Sequence, residues 1–138
     1  MIKGIGHVAF KVTDMEKSLH FYCDILGGKK AFSMERDGKP WIQYVALADG
    51  VFIELFYDGT PRTENNDDEH LTGFLHTCIE VDDINEIAER VKKNGGMMFA
   101  EPLKGCDNNY QAWVIDPDGN RIEFMKLEPD SPQSMYRF

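Results

Sequence analysis

Polar and apolar residues alternate from Gly6 to Val12, with Val8, Phe10 and Val12 on one face and His7, Ala9 and Lys11 on the other. That period of two predicts a half-buried strand. Asp14 follows as an N-cap for a helix whose apolar stripe reads Met15, Leu19, Tyr22 and Leu26, and Gly27-Gly28 ends it. Three strands are predicted next, at about 30–36, 40–48 and 51–57, with hairpin signals at Asp37-Gly38 and Asp49-Gly50. The order then recurs. Leu75 to Val81 predicts a strand with His76, Cys78 and Glu80 on one face. Asp83, with Glu86 three positions on, forms a capping box. It opens a helix that buries Ile84, Ile87, Ala88 and Val91 and stops at Gly95-Gly96. Strands near 97–101, 110–115 and 120–127 complete the half, the last one after the turn Asp116-Pro117-Asp118-Gly119. Each half therefore reads βαβββ, and the fold class is α+β.

The recurrence is in register. His7 and His76 are 69 positions apart in a chain of 138, and Glu54 and Glu123 share that offset. So do Gly4/Gly73, Val12/Val81, Asp14/Asp83, Gly27/Gly96, Asp49/Asp118, Gly50/Gly119 and Ile53/Ile122. Self-similarity at a fixed period sets the architecture. The chain is expected to be one domain of two repeats, 1–58 and 73–127, joined by a linker over 59–72 and followed by a tail, 128–138. The linker is polar and acidic and lacks periodicity, which predicts a solvated connection. In the tail, Tyr136 and Phe138 are candidates for docking.

The repeated histidines open equivalent first strands, and the repeated glutamates sit in equivalent last strands. A carboxylate inside Val51-Phe52-Ile53-Glu54-Leu55-Phe56 or Asn120-Arg121-Ile122-Glu123-Phe124-Met125 is costly if buried without a partner. Two readings satisfy this: a bound metal, or outward exposure of that face. Taken singly, each residue favours exposure; the shared offset of all four favours a metal held by His7, Glu54, His76 and Glu123. Two imidazoles and two carboxylates form a borderline-hard site suited to Ni²⁺, Co²⁺, Zn²⁺, Mn²⁺ or Fe²⁺. Octahedral coordination would leave two positions open, as a catalytic metal requires.

Composition narrows the partners. Hydrophobic residues make up 42%, enough for a globular core. A net charge of −9 with no basic stripe argues against nucleic acid and anionic lipid. No apolar run reaches the roughly 20 residues of a membrane span, and no signal-peptide pattern opens the sequence. Cys23, Cys78 and Cys106 are odd in number and share no CxxC spacing, which points to reduced thiols and a cytoplasmic location. His20 and His70 have no counterpart in the other half and are expected to be surface or packing residues.

The paired βαβββ halves, the four candidate ligands, the helix segment Ser18-Leu19-His20-Phe21-Tyr22 and the ending Asp116-Pro117-Asp118-Gly119-Asn120-Arg121-Ile122-Glu123 resemble the vicinal oxygen chelate (glyoxalase/bleomycin-resistance/dioxygenase) superfamily. The resemblance covers roughly residues 3–127 and is strongest to the short bacterial glyoxalase I enzymes, the lactoylglutathione lyases. It implies half-barrel repeats and one divalent metal per site, with Ni or Co favoured. It also implies isomerisation of a 2-oxoaldehyde–thiol hemithioacetal, such as that of methylglyoxal, to a 2-hydroxyacyl thioester. Glu54 and Glu123 are then the candidate proton shuttles. A homodimer with sites between chains is implied as well.

Epimerases and extradiol dioxygenases of the superfamily differ at the position of Glu54, and its non-catalytic binding members lack the ligands. These remain the alternatives. Lys11 stands where similar enzymes often carry a glutathione-contacting arginine, and Asp58 where they often carry asparagine. Lysine lacks the bidentate fork and Asp58 repels a carboxylated thiol, so the thiol is left open between glutathione and another. Lys11 reads equally as a solvated strand lysine. Phe52, Phe56, Trp113 and Met125 are expected pocket-lining residues.

Overall fold

A computed structural model of the chain describes residues 1–62 and 72–136. Most of the predicted acidic linker, with His70, lies outside these residues, as does Phe138. The chain divides into two compact units, Met1–Phe74 and Leu75–Phe138. Each is a βαβββ module with one four-stranded sheet.

In the first unit the elements are β1 (His7–Lys11), α1 (Met15–Leu19), a π-helical turn (His20–Ile25), β2 (Lys29–Arg36), β3 (Lys39–Ala48) and β4 (Val51–Phe56). The sheet order is β1-β4-β3-β2. β1 and β4 run parallel, and the hairpins pair antiparallel. Asp37 and Gly38 both have positive φ, at 53° and 71°. That is the mirror-image turn whose twist matches a two-residue hairpin. The core is built by Phe10, Val12, Val45, Ile53 and Leu55 from the strands with Phe21, Tyr22 and Ile25 from the helical segment.

The helical stripe differs from the expected one. Ser18, Phe21, Tyr22 and Ile25 are buried, whereas Met15, Leu19 and Leu26 are only half-buried. Two features shift it. Ser18 can be buried because its hydroxyl donates to the Asp14 carbonyl at 3.0 Å. The π turn holds more residues per turn than an α-helix, so adjacent Phe21 and Tyr22 both meet the sheet. Gly28 then crosses so close to the core that an added Cβ would lie 2.7 Å from the Tyr22 carbonyl oxygen.

The second unit carries β5 (Thr77–Glu80), α2 (Ile84–Lys93), β6 (Met98–Lys104), β7 (Tyr110–Ile115) and β8 (Arg121–Lys126) in the order β5-β8-β7-β6. β5 is shorter than the alternation over Leu75–Val81 suggests: His76 precedes it. Asp83 caps α2, its carboxylate accepting from the amides of Asn85 and Glu86 at 2.8 and 3.1 Å. Ile84, Ala88 and Val91 are buried as expected, and Ile87 is half-buried. The tail is anchored by a polar network. Asn109 accepts from the Glu128 amide at 2.9 Å, and the Ser134 hydroxyl donates to the Glu128 carbonyl at 2.6 Å. Tyr136 remains exposed. Among the described residues no helix is long and apolar enough to cross a membrane.

Candidate metal centre

β1 lies parallel to β4 with Ala9 opposite Glu54, and β5 lies parallel to β8 with Cys78 opposite Glu123. The registers are therefore equivalent at the offset found in the sequence. Alternation puts His7 two residues before Ala9 on the face opposite Phe10 and Val12. His7 thus reaches the strand-pair neighbour of its own strand, and Nε2 of His7 lies 3.3 Å from Oε2 of Glu54. In the second unit, Nε2 of His76 lies 3.0 Å from Oε2 of Glu123. Both carboxylates are well covered and both imidazoles are partly open: the His7 and His76 side chains are 48% and 35% exposed, against 10% and 14% for the glutamates.

Among the described residues no group of three or more histidine, cysteine, aspartate or glutamate side chains is arranged to hold a metal ion. Each unit by itself provides two of the four expected ligands. The donor set nevertheless fits half of such a centre. Two ligands at right angles on an ion about 2.1 Å away stand about 3 Å apart, close to the separation in each pair. Neutral imidazole nitrogen and carboxylate oxygen are also the donors that divalent first-row ions accept.

The surroundings of the two glutamates differ. Tyr44, on β3, is paired with Glu54 across the sheet, and its hydroxyl donates to Oε1 of Glu54 at 2.5 Å. That hydrogen bond, then desolvation and the carboxylate's charge, hold the Tyr44 phenol above its ordinary range. Phe32 stacks on the Tyr44 ring at 4.2 Å, and His7 meets that ring edge-on at 6.0 Å. At the equivalent position of the second unit stands Trp113, paired with Glu123. Its indole NH donates to Gln111 at 3.3 Å and its ring packs edge-on against His76 at 4.8 Å. Glu123 is instead approached by the Cys78 thiol. Cys78 keeps solvent contact, yet desolvation, followed by the charge of Glu123 and a hydrogen bond to it, pushes that thiol up to about 12.

Tyr44 has no place among the residues picked out from the sequence. The signal was present but hidden: Tyr44 and Trp113 share the offset of 69. A regular two-residue hairpin at Asp49-Gly50 would put Tyr44 opposite Leu55. The register shifts between Ala46 and Ala48, and this bulge carries Tyr44 to the side of Glu54.

The expected substrate-contacting residues fall in different places. Phe52 joins the aromatic group beside Glu54, 6.3 Å from the Tyr44 ring. Phe56 packs edge-on against Trp41 at 5.7 Å. Lys11 pairs with Phe56 and is exposed. Asp58 is exposed with φ of 61°, a conformation that aspartate and asparagine tolerate better than most residues, so the backbone alone accounts for its type. Met125 is buried within its own unit, its sulfur 3.5 Å from the Asn109 side-chain amide. His20 is a surface residue, hydrogen-bonded to Asp24 at 2.8 Å.

The chain is similar to known proteins in sequence and in fold. Residues 4–124 match the sequence profile of the Glyoxalase/Bleomycin resistance protein/Dioxygenase superfamily. The lactoylglutathione lyase of Haemophilus influenzae is 35% identical over 129 residues, covering 88% of this chain and 91% of that protein. That of Neisseria meningitidis serogroup A is 34% identical over 137 residues, covering 95% and 96%. A glyoxylase/bleomycin resistance protein/dioxygenase domain from Frankia superposes with a TM-score of 0.75 at 21% identity, covering 93% of this chain and all of that one. With a profile matching nearly the whole βαβββ pair, and relatives of this identity matching end to end, the chain belongs to the Glyoxalase/Bleomycin resistance protein/Dioxygenase superfamily.

Proposed function

We propose that the protein is a glyoxalase I-like lyase that isomerises a 2-oxoaldehyde–thiol hemithioacetal to a 2-hydroxyacyl thioester in the cytoplasm. The observation that carries the reading is the pair of equivalent His–Glu contacts, His7 with Glu54 and His76 with Glu123. The names of the relatives supply the reaction class. His7, Glu54, His76 and Glu123 would hold one divalent ion, Ni or Co by preference. When bound, it supplies Lewis-acid stabilisation of the oxyanion that develops on proton loss.

The carboxylates move the proton. One takes it from the carbon bearing sulfur and returns it to the adjacent carbonyl carbon, while the hydroxyl proton on the sulfur-bearing carbon passes to the former carbonyl oxygen, which leaves a hydroxyl there and a thioester behind. No atom is gained or lost. Glu123 is the candidate base of the two, because one oxygen of Glu54 is already engaged by the Tyr44 hydroxyl. Lys11 supplies charge to a carboxylated thiol, glutathione or another, with Asp58 opposing it. Phe52, Phe56 and Trp113 offer apolar surface for the rest. Each unit contributes two ligands, so a full site takes two units; the reading pairs the first unit of one chain with the second unit of the other in a homodimer.

Metal analysis of the purified protein, followed by assay with Ni²⁺, Co²⁺ and Zn²⁺ on hemithioacetals of several thiols, tests the reading. Turnover to a thioester absorbing in the ultraviolet is expected. A metal-loaded protein with no turnover on any thiol would favour a small-molecule binding protein instead.

A further inference from the structure

We infer that Tyr44 is a positioning residue for Glu54: its hydroxyl ties up one carboxylate oxygen so that the other alone faces His7 and a bound cation. The inference rests on the proposed metal reading and adds to it a residue outside the four ligands.

Glu54 has two oxygens with separate employment. Oε1 accepts from Tyr44 at 2.5 Å, and Oε2 lies 3.3 Å from Nε2 of His7. A carboxylate free to turn could offer one oxygen or both to a cation, which changes the coordination number and leaves fewer open positions. A short hydrogen bond to one oxygen removes that freedom. Ligating carboxylates are commonly oriented through such outer partners, whose loss costs about 10–100-fold in metal affinity or activity.

The Tyr44 ring is itself held. Phe32 stacks on it at 4.2 Å with planes 19° apart, and Phe52 stands edge-on at 6.3 Å. The strand bulge at Leu47 sets which face it occupies. The second unit offers the control. Trp113 takes the equivalent register but spends its only side-chain donor on Gln111. The unit is left with the thiol of Cys78 near Glu123, a weaker donor than a hydroxyl. Among the described residues, orientation of the glutamate by a tyrosine hydroxyl is thus built into one half only.

The experiment is cobalt binding to the full chain, read two ways: the dissociation constant by chelator competition, and the visible spectrum of the Co²⁺ form, whose intensity follows coordination number. Tyr44→Phe keeps the ring and its stacking and removes only the hydroxyl. A 10–100-fold weaker Kd and a changed cobalt spectrum are expected, with the melting temperature of the metal-free protein nearly unaltered. In a Glu54→Gln background the same substitution should add little, since Tyr44 acts through that carboxylate.

An equal loss in both backgrounds would show that the hydroxyl acts independently of the Glu54 carboxylate and overturn the inference. So would a Tyr44→Phe protein whose affinity and spectrum match the wild type, although the metal reading would then stand. Wild-type protein that takes up no cobalt would overturn the metal reading and this inference together.

Discussion

The two units use one backbone plan and furnish it differently. Both bring a histidine and a glutamate to about 3 Å on a parallel strand pair, and both place an aromatic residue opposite the glutamate. In the first unit that aromatic is Tyr44, which grips the carboxylate. In the second it is Trp113, which leans on the histidine. Where the backbone repeats, the His–Glu pair repeats; where the two halves diverge, only its neighbours change. A repeated fold can therefore make two identical side chains chemically unequal without moving either of them.

The sharpest way to break the comparison is to separate the halves genetically. His7→Ala chains mixed with His76→Ala chains under exchange conditions should recover activity that neither has alone, because heterodimers would carry one intact site. No recovery would mean that sites form within one chain. The next largest effect concerns the carboxylates. Glu123→Gln should lower kcat by about 10²–10⁴-fold, the range of general acid–base catalysis, with metal content largely kept. Glu54→Gln should lose more metal and show a smaller kcat effect once reloaded. Equal behaviour of the two variants in elemental analysis and kinetics would erase the proposed division of labour.

Core substitutions compare the units as folded bodies. Leu55 and Phe124 occupy equivalent buried positions. Leu55→Ala should destabilise by about 2–5 kcal/mol and Phe124→Ala by about 3–5 kcal/mol, measured by urea unfolding. The smallest expected effect is at the helix caps. Asp14 accepts from one amide, that of Lys17, whereas Asp83 accepts from two. Asp83→Ala should therefore lower the melting temperature more than Asp14→Ala. The backbone amides of Glu86 and Asn85 hold the Asp83 carboxyl below its ordinary 3.8. Its contribution is thus complete above that value and is lost as the pH falls through the lower folded one. The difference between wild type and Asp83→Ala should stay level from neutral pH to about pH 4 and shrink below it.

Much of this was legible in the chain. Alternation and turn chemistry located every strand to within a few residues, Asp37-Gly38 closed its hairpin as such pairs do, and the Asp83 cap formed as written. The His–Glu pairs were legible because an offset survives folding when both copies keep their register. Two features were not. The helical face was misread because Ser18 counts as polar until its bond to the Asp14 carbonyl is known, and because a π turn leaves no mark in apolar spacing. Tyr44 escaped because one extra residue in β3 reversed the side on which counting from the turn would place it. Local patterns report which residues alternate, but a bulge is decided by the partner strand.

That extra residue gives the site a tolerance to chain length that composition does not reveal. A hairpin loop normally absorbs an insertion or a deletion at its tip, where length is cheap. Here an in-frame loss of the Leu47 codon would act beyond the tip and remove the bulge, leaving Ala48 paired with Val51, Ala46 with Phe52 and Tyr44 with Glu54 in a regular two-residue hairpin. Such a deletion should bind cobalt as the wild type does, in contrast to Tyr44→Phe. The place of the phenol is thus fixed by which strand positions pair, not by the number of residues that lead to the turn.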